Sequence, residues 1–491
     1  MKSILKYISL LAVALLLTTS CEEFLDVNTD PNNPTSVTPD LVLPVGQKYT
    51  AELIQRDRRI SHLGNMMMYN WSQSDGFSWY NDEFLYQVTS SFYQTIFNTT
   101  YGSALKQYQI LDNMMGDEYA YYRAIGKVMK AYHFQLLVDM YGDIPYTEAL
   151  QRSLEATPVY DDAQEIYNDL ISQLDSAIML IKDADIAVVM KPDENGDVMF
   201  EGDMDEWIRF ANTVKLRILV REAGVKDVTA DVAAIEAEGS GFVTSDVLVN
   251  PGYAIEAGKQ NPLWNDLGWD EGGTQTLSSK ATCATPFVLD WLTAANDPRI
   301  NYIYEEPATG HLGVIQGLID YDTPVVDAYV PEKVSNIGPG ILKSGTMGAN
   351  IFSLAEVYFL RAEAAQAGVH SGDPQVYYEA AIQASFDYLG AGDASAYVAQ
   401  SIENVGWDAS TDKVEAIITQ KWIAMNGITA EQSWFDYTRT GFPAGLPVSA
   451  LASTPDRPVR LFYPASEVSA NGENVPAQPN AFNDKIFWAG N

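Results

Sequence analysis

Long runs of apolar residues at three- and four-residue steps restrict this chain more than any other feature. Tyr122, Ile125, Met129, Tyr132, Leu136 and Met140 form one run, and Ala163, Ile166, Leu170, Leu174, Ala177 and Ile181 form a second. At 3.6 residues per turn each set lies on a single stripe, so each run predicts an amphipathic helix. Between them stands Tyr141-Gly-Asp-Ile-Pro-Tyr146, where Gly142 can end the first helix and Pro145 forbids its continuation. Thr157-Pro158 precede the second run, and Asp161 and Asp162 place negative charge at its N-terminus, where the helix dipole favours it. A further helix is expected from about Asp205 to Ala223, with Trp207, Phe210, Val214 and Ile218 inward and Arg209, Lys215, Arg217 and Arg221 as its polar face.

The same grammar returns late in the chain. One helix runs from Leu354 to Ala364, a turn covers Gly368 to Pro374, and Tyr377 to Leu389 forms the partner. Ala362, Ala365, Ala380, Ala381 and Ala384 are small enough to let the two approach closely, and together with Gly368 and Phe386 the pair resembles a tetratricopeptide unit without a strict period. A last pair is expected at about Lys413 to Met425 and Glu431 to Tyr437. From about Phe242 to Gly348 the pattern changes to Gly, Pro, Asn and Thr with short strand-like pieces such as Asn301-Tyr-Ile-Tyr304 and no long helix. A second irregular stretch covers Tyr69 to Glu83. Long irregular segments in a compact domain usually carry function, so the site is expected in these two.

The N-terminus has the parts of a secretory signal: Lys2 and Lys6, an apolar stretch from Ile8 to Leu17, then Thr18, Thr19 and Ser20. That stretch is about half of the roughly 20 residues a membrane-spanning helix needs. Cys21 directly after the small residues predicts a lipoprotein signal in which Cys21 is acylated, although Thr18 stands where Leu is usual. The turn-rich Asp26-Val-Asn-Thr-Asp-Pro-Asn-Asn-Pro34 that follows has no apolar face and reads as a tether. With Cys21 acylated, Cys283 is left without a partner, which excludes an internal disulfide and a zinc-finger site; it is read as a small buried hydrophobe. The formal net charge of −35 repels phosphate backbones and anionic headgroups, which argues against nucleic acid as a partner.

Catalytic signatures are largely missing. There is no His-Glu-x-x-His motif, Gly-x-Ser-x-Gly elbow, P-loop or dinucleotide fingerprint, and no cofactor is expected. Of four histidines, His133 falls inside a helical run, where a structural role is favoured. Asp193-Glu-Asn-Gly-Asp197 with Asp203 and Asp205 resembles a calcium loop only superficially, since its Gly is misplaced and no Glu closes it. A hairpin turn is the better reading. Asp266, Asp270 and Glu271 are a further carboxylate cluster of no assigned role. What stands out instead is aromatic: Trp71, Trp79 and Tyr80 in one irregular stretch, and Tyr253, Trp264 and Trp269 in the other. Around them sit Asn70, Gln73, Asp75, Asn81, Asn261, Asn265 and Asp266. Rings set among amides and acids suit a sugar, whose C–H face is apolar while its hydroxyls need directed partners. The alternative for each ring is an anchor in the core.

Several segments together carry a family resemblance. They are the tether 26–34, Tyr141-Gly-Asp-Ile-Pro-Tyr-Thr-Glu-Ala-Leu150, Thr157-Pro-Val-Tyr-Asp-Asp-Ala-Gln-Glu-Ile-Tyr167, Gly202-Asp, Trp207-Ile-Arg-Phe-Ala-Asn-Thr-Val-Lys-Leu-Arg217 and Asn261-Pro-Leu-Trp264. Later come Asp297-Pro-Arg299, Ala355-Glu-Val-Tyr-Phe-Leu-Arg-Ala-Glu-Ala364, Gln420-Lys-Trp422, Arg439-Thr-Gly-Phe-Pro443 and Arg460-Leu-Phe-Tyr-Pro464. In this order they resemble the SusD/RagB-like outer-membrane lipoproteins of Bacteroidetes. The resemblance implies a mainly α fold, a superhelix of tetratricopeptide-like helix pairs with a long irregular face. It implies three parts: a signal peptide over 1–20, a lipidated Cys and tether over 21–40, and a ligand-binding domain over 41–491 with an irregular insertion at about 242–348.

It implies a role as the lid of a SusC-like TonB-dependent β-barrel transporter, binding an oligosaccharide or a peptide at the cell surface without turnover. Glu22 and Glu23 resemble the acidic export signal of such lipoproteins. The expected ligand-binding residues are Trp71, Trp79, Tyr80, Asn81, Tyr253, Trp264, Asn265 and Trp269, with no catalytic or metal-ligating residue. Two other classes compete. A surface glycan-degrading enzyme would need a carboxylate pair at hydrolase separation among the aromatic loops. A protein-binding repeat scaffold would have no small-ligand site there.

Overall fold

The computed structural model describes residues 38–151, 154–319 and 326–490. Cys21, the signal and most of the tether lie outside the described residues. Helices of eight residues or more are α1 Pro39–Gln55, α2 Ile60–Met67, α3 Ala120–Tyr141, α4 Ala163–Lys182, α5 Met204–Glu222 and α6 Thr229–Glu238, then α7 Pro286–Ala294, α8 Leu354–Gln366, α9 Pro374–Leu389, α10 Lys413–Met425 and α11 Ala430–Thr440. Helix α1 thus already includes Pro39 and Asp40.

The helix starts follow from local chemistry. Asp162 opens α4 by accepting from Gln164 N at 2.9 Å and Glu165 N at 3.0 Å. Asp203 does the same for α5, Ser353 for α8, Asp373 for α9 and Asp412 for α10. These side chains satisfy N–H groups that have no partner inside the helix. Gly142 ends α3 with φ 77°, and Gly390 and Gly441 end α9 and α11 in the left-handed region.

Helix α3 packs on α4 and α5, α4 on α5, α5 on α8, α8 on α9 and α10, and α10 on α11, which returns against α2. The mainly helical architecture is the expected superhelix. Both stripes read from the sequence are buried: Tyr122 to Met140 on α3 and Ala163 to Ile181 on α4. His133 lies wholly inside, its Nε2 2.8 Å from Thr50 Oγ1 and its ring stacked on Tyr108, and burial lowers its pKa to about 3.

The expected polar face of α5 is a correction. Lys215, Arg217 and Arg221 are 3%, 1% and 2% exposed, so the cations lie inside. They persist there because each is paired. Arg221 bridges to Asp139 and donates to Gln432 Oε1 at 2.7 Å. Arg217 donates to Gln135 Oε1 at 3.0 Å and lies 4.5 Å over the Phe352 ring. Lys215 Nζ reaches Asp175 Oδ1 at 2.7 Å. Unpaired buried charge would be far costlier than these pairs.

Among the described residues, three two-stranded antiparallel sheets tie the irregular parts to this body: β1 Trp71–Gln73 with β5 Thr282–Ala284, β2 Ile144–Pro145 with β3 Tyr160–Asp161, and β4 Val247–Val249 with β6 Ala349–Phe352. The first has the register Trp71 to Ala284, Ser72 to Cys283 and Gln73 to Thr282, which joins the two irregular stretches directly. Cys283 is fully buried there, as expected of a small hydrophobe, and burial raises its pKa.

Two local expectations fail. Asn301 to Tyr304 was expected as strand, but Ile300–Ile303 is a helical turn. Asp297 accepts from Arg299 N at 2.9 Å and grips the buried guanidinium at 2.6 Å, a local device that outweighs strand propensity. The 193–197 segment is a turn with no flanking strands. Asp193 Oδ1 accepts from Asn195 N and Gly196 N at 3.0 and 2.7 Å, and Asp197 is a buried hub for Gln47 Nε2 at 2.6 Å, Gly202 N at 3.0 Å and Trp207 Nε1 at 2.7 Å.

Candidate functional site

The turn between α1 and α2 joins the two irregular stretches. Arg56 Nε donates to Asp266 Oδ2 at 3.0 Å and Asp57 N donates to the same oxygen at 3.1 Å. On its other side Arg58 Nη2 donates to Trp79 O at 2.6 Å. Ser278 Oγ donates to Asp57 Oδ2 at 3.0 Å, and His62 Nδ1 lies 2.9 Å from Asp57 Oδ1. Burial raises the Asp57 pKa, but His62 and Ser278 together win and bring it down to about 2. One short turn therefore fixes the segment carrying Trp264 and Trp269 and the segment carrying Trp79.

Two expected site residues are corrected. Trp71 is 1% exposed and Tyr80 is fully buried, so neither presents a face to a ligand. Strand β1 is buried along its whole length, which leaves Trp71 no open side. Tyr80 shares a 2.9 Å hydrogen bond with Thr282 Oγ1 and packs on the His62 ring at 5.1 Å. Asn70 and Asp75 are structural as well: Asn70 Oδ1 accepts from Trp422 Nε1 at 2.6 Å, and Asp75 Oδ2 accepts from Val326 N at 2.6 Å.

Trp79, Asn81, Tyr253, Trp264, Asn265 and Trp269 remain partly exposed. Gln73 positions Trp79, accepting from Trp79 N at 2.6 Å and donating to Phe77 O at 2.6 Å, while the Phe77 and Trp79 rings meet edge to face at 5.0 Å. Trp264 and Trp269 form a tilted pair with centroids 4.8 Å apart at 38°. Asn261 sets the pair's position. Its Oδ1 accepts from Leu263 N at 2.9 Å and Trp264 N at 3.1 Å, opening the six-residue helix Pro262–Leu267, and its Nδ2 donates to Met347 O at 3.1 Å. A Cβ at Gly345 would lie 3.1 Å from the Trp264 indole, so that glycine lets the backbone pass against the ring.

A cavity of about 390 Å³ is lined among others by Glu52, Arg56 and Tyr253 and by Gln260, Pro262 and Asn265, chain neighbours of the pair, while Trp264 and Trp269 do not themselves line it. It thus gathers Tyr253 and Asn265 from the expected set. Gln260 was missed, and its only sequence signal is its place next to Asn261-Pro-Leu-Trp264. The nearby acids serve the backbone: Asp270 Oδ1 accepts from Gly272 N at 2.9 Å and Thr274 N at 2.7 Å, and Asp266 holds the α1–α2 turn.

A family model described as SusD-like, starch-binding and associating with the outer membrane, matches residues 31–464. Solved structures of the same fold include a chitin-binding SusD homolog from Flavobacterium johnsoniae. It has a TM-score of 0.76 and 22% identity, covering 91% of this chain and 99% of that one. A SusD homolog from Bacteroides vulgatus follows at 0.72 and 22%, covering 87% and 91%. One from Bacteroides fragilis has 0.70 and 21%, covering 92% and 99%. At these identities the likeness is one of fold. No curated protein matches.

Proposed function

The chain belongs to the SusD-like family, and from that premise we propose that it captures an oligosaccharide outside the cell and delivers it, as a lid, to a TonB-dependent β-barrel transporter. The observation that carries the glycan reading is the partly exposed Trp264–Trp269 pair, whose chain neighbours Gln260 and Asn265 line an open cavity together with Glu52. Each ring face can cover about 100 Å² of a sugar's C–H surface, worth roughly 2.5 kcal/mol. Two such platforms, less the cost of association, give roughly micromolar to millimolar affinity. The Flavobacterium johnsoniae neighbour, named as chitin-binding, favours a glycan over a peptide.

Capture without turnover is supported by Asp266 and Asp270, which flank the rings in sequence and whose oxygens are engaged by Arg56 and by backbone N–H groups. Lipidation of Cys21 would hold the body at the membrane, and the tether would let it swing on the barrel. A short tether converts rebinding into an intramolecular event at roughly millimolar effective concentration, so each contact with the barrel can be weak.

The test has two arms. A glycan array with the mature protein should return oligosaccharide binders, lost in the double variant Trp264→Ala and Trp269→Ala. Crosslinking in cells should bring down a large β-barrel. Capture of peptides alone on parallel arrays would replace the glycan by a peptide ligand, and isolation of the protein always without a barrel would end the lid reading.

A further inference from the structure

A second cavity, of about 930 Å³, is lined by Tyr101, Lys106 and Ile110 from the helical segment before α3 and by Tyr146 and Leu150 from the chain after it. The backbone is irregular on both sides of it. Thr100–Leu105 is a π-helix, and Leu150 stands in the left-handed region at φ 66°, a costly place for a bulky side chain. Among the described residues no acid lines this cavity, although the chain carries 65 acids against 30 Lys and Arg. Its two cations are Lys106 and Lys130. Lys106 is exposed, and none of the ion pairs among the described residues includes it. Lys130 shares Asp112 with Lys127, at 2.9 and 3.2 Å, so two cations stand there against one carboxylate. Asp169 and Asp161, which hold Tyr146 by its hydroxyl and its backbone N–H, do not line the cavity.

We propose that this cavity is the docking place of the chain's own segment Glu22-Glu23-Phe24-Leu25-Asp26-Val27, which lies outside the described residues. Three acids alternate there with three apolar side chains. The acids suit Lys106 and Lys130, and Phe24 and Leu25 suit the surface of Ile110, Leu150 and the tyrosine rings. On so acidic a chain most of the surface repels such a segment, and a cavity free of acids selects it. The path is short. Tyr122 of α3 donates to Asp40 in the first turn of α1, and its neighbour Arg123 donates to Met114 O, next to the cavity residue Asn113. From Thr38 back to Val27 the chain can span up to about 36 Å. Covalent attachment supplies roughly millimolar effective concentration, so weak docking is enough. With Cys21 acylated, the docked segment brings this side of the body next to its anchor and lets it pivot there; released, it gives the full leash. The inference stands apart from the glycan reading.

The experiment uses the mature chain with Cys21→Ser, which keeps it in solution, and a photoreactive phenylalanine analogue in place of Phe24. Irradiation followed by peptide mapping should find the photoproduct within the same chain, on residues 101–113 or 146–151. Lys106→Glu touches an exposed side chain outside every ion pair, so the fold is kept, and it should lower the photoproduct about tenfold. Salt at about 1 M should lower it as well, because the contacts between exposed charges are screened. Glu22→Lys with Glu23→Lys in the Lys106→Glu chain should restore it. Photoproducts scattered over the surface, photoproducts joining two chains, or a yield unchanged by Lys106→Glu overturn the proposal. A yield that the reversed charges do not restore overturns it too. No sugar or barrel enters the measurement, so glycan capture and the lid reading stand or fall separately.

Discussion

Along α3 and α4 the apolar side chains do the packing, whereas along the irregular face short strands and side-chain amides hold the backbone. In the helical back Ile125, Leu136, Ile166 and Leu174 are buried in one hydrophobic core. In the face, Gln73 bridges Trp79 N and Phe77 O, Gln316 Nε2 reaches Met66 O at 2.9 Å and Trp71 O at 2.7 Å, and Asn261 joins Trp264 N to Met347 O. An amide that satisfies backbone groups fixes a loop without burying the aromatic rings on it. Trp79, Trp264 and Trp269 stay partly exposed, while Trp207, Trp422 and Trp434 are consumed by the core. Where this chain packs through stripes its rings are structural, and where amides hold the backbone some rings, Trp71 and Tyr80, are buried while others stay partly exposed.

The sharpest way to break this comparison is in the back. A Cβ at Gly64 in α2 would fall on the backbone of Ala430 and Glu431 at the start of α11. Gly64→Ala should cost about 3 kcal/mol or more, since backbone cannot give way as a side chain can. Thermal unfolding would show it as a large drop in midpoint; an unchanged midpoint would mean that the two helices can separate freely.

The next effect is pH-dependent. Glu431 is buried, and burial followed by the nearby Glu356 pushes its pKa from 4.5 up to about 7. The folded chain thus holds this proton more tightly than the unfolded one. Its contribution is fully present below about pH 4.5 and is lost as pH rises to about 7. Glu431→Gln should leave stability unchanged at pH 4 and raise it by on the order of 2–3 kcal/mol at pH 8. Denaturant titration at both pH values checks the sign, and a variant less stable than the parent at pH 8 would show that the carboxylate form is the favoured one.

In the face the expected effect moves from stability to binding. Trp264→Ala should weaken oligosaccharide binding by roughly 2 kcal/mol, about thirtyfold, through loss of one platform. Trp71→Ala should instead reduce folding stability by about 3–5 kcal/mol, because it empties a core position. Paired calorimetric measurements on the two variants would sharpen the division. Equal loss of binding with no loss of stability in Trp71→Ala would erase it.

The back was legible because its information is periodic: Ala163 to Ile181 repeats one spacing often enough to name the helix and its buried side, and Lys413 to Met425 matches α10 to the residue. The polar face of α5 was misread for a physical reason. Arg217 and Arg221 find Gln135, Asp139 and Gln432 on other helices, partners that composition along α5 does not reveal. In the face, ring-rich segments were visible, but which rings were exposed was not. Burial of Trp71 is decided by the register of β1 on β5, a contact between segments some two hundred residues apart. Gln260 was invisible for the same reason, since its role comes from Trp269 O and a cavity formed with α1.

The smallest effect tests whether an amide sets the site without holding the fold. Asn261 Oδ1 caps the helix Pro262–Leu267, and loss of such a cap typically costs about 1 kcal/mol. That helix has six residues, too few to persist alone, so its position depends on the cap, on Asn261 Nδ2 to Met347 O, and on Asp266 at the α1–α2 turn. Asn261→Ala removes the first two and keeps the third. Amide exchange should therefore rise at Leu263 to Gly268 and stay unchanged in α3 and α4, because the stripes that bury those helices touch none of these groups. The Trp pair should lose its fixed tilt, and binding should weaken by several-fold through the cost of reordering it on the ligand. Faster exchange spreading into α3 would show that face and back unfold as one unit, and the separation between packing by stripes and packing by amides would then hold for geometry but not for stability.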